Sequence, residues 1–243
     1  MKTFVFSDIH GCYDELMALY RQLPLQPERD RVIFLGDYID RGPASRRVLE
    51  QVMAWQQRYP HWVFLGGNHE DMMLDALHND GRHYDTYFDI AEVWFASGGA
   101  ATYRSYLPAG EQRDATDLVH AREIIPEEHR AWCASLPLHF EDDGYIYVHG
   151  GVKPGRTPAE TDPFDLIWLR DEFLESTYDW GKKIIHGHTP TRSLEPEVYA
   201  NRICIDTALC YAPNNKLTAV ELPAETFYSQ SRLSQVAASR FGG

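Results

Sequence analysis

Six side chains of this 243-residue chain have the types and spacing of metal donors: Asp8, His10, Asp37, Asn68, His149 and His188. Imidazole, carboxylate and amide oxygen together suit Mn, Fe or Zn, and the absence of cysteine from the set argues against a structural zinc site. Six donors exceed the needs of one open catalytic ion and match two ions that share a carboxylate. Two ions ~3.5–4 Å apart hold a bridging hydroxide and clamp a phosphoryl oxygen, which is the chemistry of phosphate hydrolysis. Asp37 is the expected bridge, because a carboxylate has two oxygens to divide between ions. Asp8 and His10 reach one ion together only if the chain turns sharply, and Gly11 permits that turn.

The donors stand at the ends of short apolar runs. Thr3–Phe6 leads to Asp8 and His10, Val32–Leu35 to Asp37, Trp62–Leu65 to Asn68, Tyr145–Val148 to His149, and Lys183–Ile185 to His188. Runs of about four β-branched and aromatic residues closed by glycine predict buried strands. Between the first strands, Leu16, Leu19 and Leu23, then Val48, Leu49, Val52 and Met53, recur at helical spacing. Strand–helix–strand alternation predicts an α/β fold with its ligand groups gathered at the carboxyl ends of the strands. Residues 71–130 lack that rhythm and are read as a mainly helical elaboration within a single domain spanning 1–243. Ile203, Ile205 and Leu217–Leu222 predict further strands that close the sheet system, and residues 236–243 a frayed tail.

Composition narrows the partners. The formal net charge is −13, from 23 Lys+Arg and 36 Asp+Glu. This balance argues against a general nucleic-acid or membrane-surface binder, whose phosphate contacts need a basic face. It leaves room for a small phosphorylated group held by local cations. Cys12, Cys133, Cys204 and Cys210 form no C-x-x-C pair and are read as free thiols of a reducing compartment. Asp8 interrupts the N-terminal apolar run too early for a secretory leader, and no run approaches the ~18 residues of a spanning helix, so a cytoplasmic protein is expected.

Five segments in order, Asp8-Ile9-His10-Gly11, Gly36-Asp37-Tyr38-Ile39-Asp40-Arg41-Gly42, Gly67-Asn68-His69-Glu70, His149-Gly150-Gly151 and Gly187-His188-Thr189, resemble the signature of the PPP-family metallophosphatases. That family lies within the calcineurin-like metallophosphoesterases and includes phage lambda and bacterial serine/threonine protein phosphatases. The resemblance covers roughly residues 3–210. It implies a central β-sandwich flanked by helices and two divalent ions, Mn2+ being usual in phage and bacterial members. By this resemblance Asp8, His10 and Asp37 hold the first ion, and Asp37, Asn68, His149 and His188 the second. His69 matches the family's general acid and Asp40 its carboxylate partner. Arg41 and Arg170, the latter in Ile167-Trp168-Leu169-Arg170, match phosphate-binding arginines, with Asn68 beside the substrate. The implied reaction is direct attack by a metal-bridging hydroxide on phosphoserine or phosphothreonine of a phosphoprotein or phosphopeptide. A symmetrical dinucleoside polyphosphate hydrolase, or a phosphotyrosine-preferring enzyme, is the alternative on the same scaffold.

The remaining histidines are read as structural: His61, His78, His83, His120, His129 and His139, with His186 a packing residue behind His188. Met72, Met73 and Leu74 are expected in the core or cleft wall. Trp94, Phe95 and Tyr103, around Gly98-Gly99, are expected in the core, with the substrate cleft as the other reading. The chain departs from the family pattern at Ser7, Gly66 and Ala208, none of which removes a ligand. Pro190 stands where wider metallophosphoesterases place a second histidine, which favours the PPP branch.

Overall fold

A computed structural model describes residues 1–78 and 90–233; the expected tail at 236–243 and His83 lie outside them. The first half runs β1 (Thr3–Phe6), α1 (Tyr13–Gln22), β2 (Arg31–Phe34), α2 (Ser45–Arg58), β3 (Val63–Phe64) and α3 (Asn68–His78). Then come α4 (Ile90–Trp94), a kinked turn Phe95–Gly99, α5 (Ala100–Tyr106), α6 (Leu118–Ile124) and α7 (Glu127–Ala134). The second half runs β4 (His139–Glu141), β5 (Tyr145–Val148), α8 (Pro163–Trp168), α9 (Asp171–Leu174), β6 (Lys183–His186), β7 (Glu197–Val198), β8 (Arg202–Cys204), β9 (Lys216–Leu222) and β10 (Thr226–Ser231).

The strands form two mixed five-stranded sheets, in the orders β10-β9-β1-β2-β3 and β4-β5-β6-β8-β7. In the first, β1, β2 and β3 are parallel; in the second, β5, β6 and β8 are parallel. Side-chain alternation explains the layering. Val5, Ile33, Leu35 and Val220 of the first sheet meet Tyr147, Ile185 and Ile203 of the second in one buried cluster. Their neighbours Phe4, Phe6, Val32 and Phe34 face the other way, onto Leu16, Leu19, Val48, Leu49 and Val52 of α1 and α2. On the far side, Ile146, Val148 and Ile184 pack under Leu166 and Phe173 of α8 and α9. The result is the expected sandwich of two sheets between helical layers, each buried face using the period of two that a strand imposes.

Two features exceed the sequence reading. The late strand β9 returns to pair antiparallel with β1 in the first sheet, rather than extending the second. The expected strand at 62–65 is shortened to Val63–Phe64, with Trp62 before it stacked on Tyr59 at 4.4 Å. No helix among the described residues is long and apolar enough to cross a membrane, and all four cysteines are free.

Candidate active site

The parallel strands point their carboxyl ends the same way, so the loops after β1, β2, β3, β5 and β6 converge. The turns are made largely by the functional residues themselves. Asp8, His10, Asp37, Asp40, Arg41 and His188 all have positive φ, between 46° and 71°, and make up six of the nine such non-glycine residues described. A non-glycine residue in that region costs on the order of 1–3 kcal/mol, and such strain concentrates at functional sites. Gly11, at φ 63°, shares the first turn as expected, but the ligands bear most of it.

All six expected donors are buried and meet around Asp37. Its Oδ1 lies 3.3 Å from His149 Nε2, while its Oδ2 lies 3.5 Å from His10 Nε2 and 3.8 Å from His69 Nε2. The two oxygens therefore face different donor groups. Donor atoms of His10, Asp37 and His69 lie within 4.8 Å of one another, and so do those of Asp8, Asp37 and His149. Asn68 Oδ1 sits 2.9 Å from both His149 Nε2 and His188 Nδ1. The backbone N–H of His188 donates to the Asp8 carboxylate at 3.1 Å and 3.2 Å, tying the two sheets' loops together.

These atoms fit divalent cations. His10 Nδ1 donates to Ile39 O at 2.8 Å and His149 Nδ1 to Leu35 O at 3.1 Å, so each Nε2 presents a lone pair to the centre. The Asn68 oxygen, the Asp8 and Asp37 carboxylates and these imidazoles are a buried collection of acceptors, which a positive charge must neutralise. The local field agrees. Burial pushes His149 down, yet Asp37, Asp8 and Glu70 raise it to about 9. Burial also pushes the Asp37 carboxyl up, but His149, His69 and His10 hold it well below the usual carboxylate range.

His69 and Asp40 form the expected pair. His69 Nδ1 donates to Asp40 Oδ2 at 2.7 Å, which leaves Nε2 facing Asp37 and the cleft. Burial lowers the His69 pKa, but Asp37 and Asp40 outweigh it and raise it above the ordinary value. Arg41 Nη1 donates to His10 Nε2 at 2.6 Å, and the guanidinium stands over the Tyr211 ring at 4.8 Å. Arg170, exposed at the start of α9, lies close enough to His188 to help burial and His149 lower that histidine's pKa. Arg41 thus acts at His10 and Arg170 near His188.

Glu70 was legible only as part of a motif. Its Oε2 accepts the N–H groups of Asp37 and Gly67 at 2.9 Å and 3.0 Å, and its Oε1 that of Tyr38 at 2.8 Å. A glutamate at the third helical position reaching back to the residue before the helix is half of a capping box, and that spacing was the available signal. Gly67 is required beside it: a Cβ there would lie 2.3 Å from Asp37 Oδ1. Ser7, a departure from the family pattern, donates its hydroxyl to Asp8 Oδ2. Trp94 is fully buried as expected, but its indole N–H also donates to Asp40, as does the Thr102 hydroxyl. His120 and His129 pair with Tyr103 and Tyr106, and His61 and His78 with backbone carbonyls, all away from the centre. His186 packs edge-on against Phe173 at 4.9 Å, as a packing residue should.

Known proteins carry the same organisation. Residues 1–218 match the family of calcineurin-like phosphoesterases. Serine/threonine-protein phosphatase 2 of Escherichia coli K12 is 30% identical, over 87% of this chain and 88% of that protein. The asymmetrical bis(5'-nucleosyl)-tetraphosphatase PrpE of Oceanobacillus iheyensis is 26% identical, over 99% of this chain and 96% of the relative. The crystal structure of a cold-active protein-tyrosine phosphatase of Shewanella superposes with a TM-score of 0.58 at 19% identity, covering 95% of this chain and 80% of that one, a likeness of fold. With the match spanning nearly the whole chain, and its strand-end donors gathered in one buried centre, the protein belongs to the calcineurin-like phosphoesterase family.

Proposed function

We propose that this phosphoesterase is a phosphoprotein phosphatase, hydrolysing phosphoserine and phosphothreonine monoesters with two divalent ions, Mn2+ foremost and Fe or Zn as alternatives. The observation that carries the reading is the buried His69–Asp40 pair, with Nδ1 held at 2.7 Å and Nε2 turned to the cleft. An alkoxide is a poor leaving group and needs a proton as the P–O bond breaks; a positioned imidazolium contributes about 10²–10⁴-fold to such a step. Asp8, His10 and Asp37 would hold one ion, and Asp37, Asn68, His149 and His188 the other. Such ions would polarise a phosphoryl oxygen and lower the pKa of a water bound to them. Arg41 and Arg170 receive the non-bridging oxygens, where a guanidinium fork is worth more than a point charge. Asn68 orients the phosphate beside them.

A second reading is supported by the likeness to the PrpE tetraphosphatase, which extends over almost all of both chains. A dinucleoside polyphosphate would leave as a nucleotide phosphate, which needs a general acid far less. The deciding experiment compares kcat/KM of the manganese-loaded enzyme on phosphoserine, phosphothreonine and phosphotyrosine peptides and on diadenosine tetraphosphate. The phosphoserine and phosphothreonine peptides should be the best substrates; a clear excess on the dinucleotide or the phosphotyrosine peptide overturns the protein serine/threonine reading.

A further inference from the structure

The pair that would move the leaving-group proton is fastened by a segment outside the strand-end loops. We infer that Trp94 and Thr102, on either side of the kinked turn Phe95–Gly99, are positioning residues for the general acid. They fix the Asp40 carboxylate, which in turn aims the proton of His69. The inference rests on the phosphate-ester reading above and extends it to residues of the helical elaboration.

Asp40 is completely buried, sits at φ 71°, and its one ion-pair partner among the described residues is His69. Its remaining acceptor capacity is taken up by this segment. Thr102 Oγ1 donates to Asp40 Oδ1 at 2.5 Å, and Trp94 Nε1 lies 3.2 Å from each carboxylate oxygen. Thr102 Oγ1 also accepts the Asp40 backbone N–H at 2.8 Å, so one threonine holds both the main chain and the side chain of Asp40. Thr102 on Oδ1, His69 on Oδ2 and Trp94 between the two oxygens hold the carboxylate against rotation. The imidazole then keeps its proton on Nδ1 toward Asp40, and Nε2 becomes the atom that carries a proton to the cleft.

The turn between the two donors is shaped for the task. Gly98 has φ 118°, which breaks the helix so that α4 and α5 both present their donors to Asp40. Its carbonyl accepts the Arg41 N–H at 3.2 Å, and a Cβ at Gly98 would come within 2.7 Å of Arg41 N. At Gly99 a Cβ would lie 2.5 Å from the Trp94 ring, so the indole reaches Asp40 only because that residue is glycine. The segment therefore braces adjacent residues with different tasks, the acid's partner and a phosphate-binding arginine.

The test uses the metal-loaded, full-length enzyme and two substrates that differ in their need for an acid, a phosphoserine peptide and p-nitrophenyl phosphate. Thr102→Val should lower kcat/KM about 30-fold on the peptide and about threefold on p-nitrophenyl phosphate, a fraction of what loss of the acid itself costs. Thr102→Ser, which restores the hydroxyl, should recover the peptide rate to within about threefold of the parent. Trp94→Phe keeps the ring and removes the donor; it should show the same split, and it carries the test if Thr102→Val does not fold. In the zinc-loaded protein the His69 Nδ1 proton, assigned by its loss in His69→Asn, should give a downfield resonance that moves or vanishes in Thr102→Val and Trp94→Phe. Equal losses on the two substrates, or an unmoved resonance, overturn the inference while the general-acid reading stands if His69→Asn itself shows the split. If His69→Asn shows equal losses, both fall together.

Discussion

The loops after β1, β2 and β3 and the loops after β5 and β6 supply donors to one centre by different means. The first-sheet loops bring carboxylates, Asp8, Asp37, Asp40 and Glu70, and place the first three of these and His10 and Arg41 at positive φ. The second-sheet loops bring His149 and His188, of which His188 alone has positive φ. They are held by ordinary backbone bonds, Gly150 N–H to Leu166 O at 2.8 Å and Gly187 N–H to His149 O at 3.0 Å. The first half carries most of the buried negative charge and the strain, with the Glu70 clamp on one side and the segment 94–102 on the other; the second adds Asp206, which accepts the Ala208 N–H. Buried charge and left-handed backbone are each unfavourable alone. They persist where neighbouring groups over-determine them, and the histidine loops, with less of either, need less support.

Asp37→Asn attacks this difference where it is greatest. Asp37 faces the second half through Oδ1 and the first through Oδ2, so the amide would weaken both groups of donors at once. Metal analysis of the variant should show fewer than one ion per chain, with kcat/KM down about 10³-fold or more, the scale seen when one member of a catalytic unit is lost. Two retained ions would reject a shared carboxylate. A loss limited to one ion would show that the halves load independently.

The strand-end half of this picture was legible because it is local. A run such as Val32–Leu35 followed by glycine and aspartate states both the strand and the candidate donor it presents, and five such runs cover five of the six parallel strands and the six candidate donors that the fold brings together. What remained hidden depends on contacts distant in sequence. Trp94 and Thr102 reach Asp40 across 54 and 62 residues, and nothing in an aromatic residue followed by Gly-Gly names a carboxylate as its target. The pairing of β9 with β1 was equally invisible, since an apolar run carries no address. Positive φ at Asp8 and His10 was partly anticipated as a sharp turn, but it was assigned to Gly11, the residue best able to bear it. Glu70 lay in plain sight; its role needs the third dimension only to show that Asp37 and Tyr38 hang from the same carboxylate as Gly67.

Glu70→Gln sharpens the contrast by removing a brace without touching a donor. Burial and Asp37 push the Glu70 carboxyl up to about 7, against the N–H groups of Gly67 and Asp37, which favour its charge. Both oxygens are aimed at N–H donors, so whichever position the glutamine amide nitrogen takes, it faces a donor. Leaving such bonds unmade and opposed costs about 2–3 kcal/mol. For a chain of this size that is a fall of roughly 5–10 °C in Tm, measurable by calorimetry. Metal affinity should weaken through the displaced Asp37 loop. A variant with unchanged Tm and metal content would show that the first half stands without its clamp, and that the charge is carried by its cations alone.

The smallest effect is expected behind the histidine half, in acid. His186 is buried at the end of β6, and burial drives its pKa to about 3. Its folded value is depressed below the unfolded value of about 6.5, so the unfolded chain takes up a proton that the folded chain refuses. The stability this histidine permits is complete above about pH 6.5 and is lost as pH falls toward 3, with a slope approaching about 1.4 kcal/mol per pH unit. His186 Nδ1 donates to Gly187 O at 3.2 Å, and an asparagine amide can offer the same donor without titrating. In His186→Asn the loss of unfolding free energy between pH 7.5 and 5 should therefore be smaller than in the parent by about 2 kcal/mol. Taking the difference between the two proteins cancels what His10 and His188, also lowered by burial, contribute equally to both. Parallel pH curves would mean that His186 is protonated without breaking its packing on Phe173. Acid would then attack the centre first through the carboxylate half, the reverse of the order that the braces on that half imply.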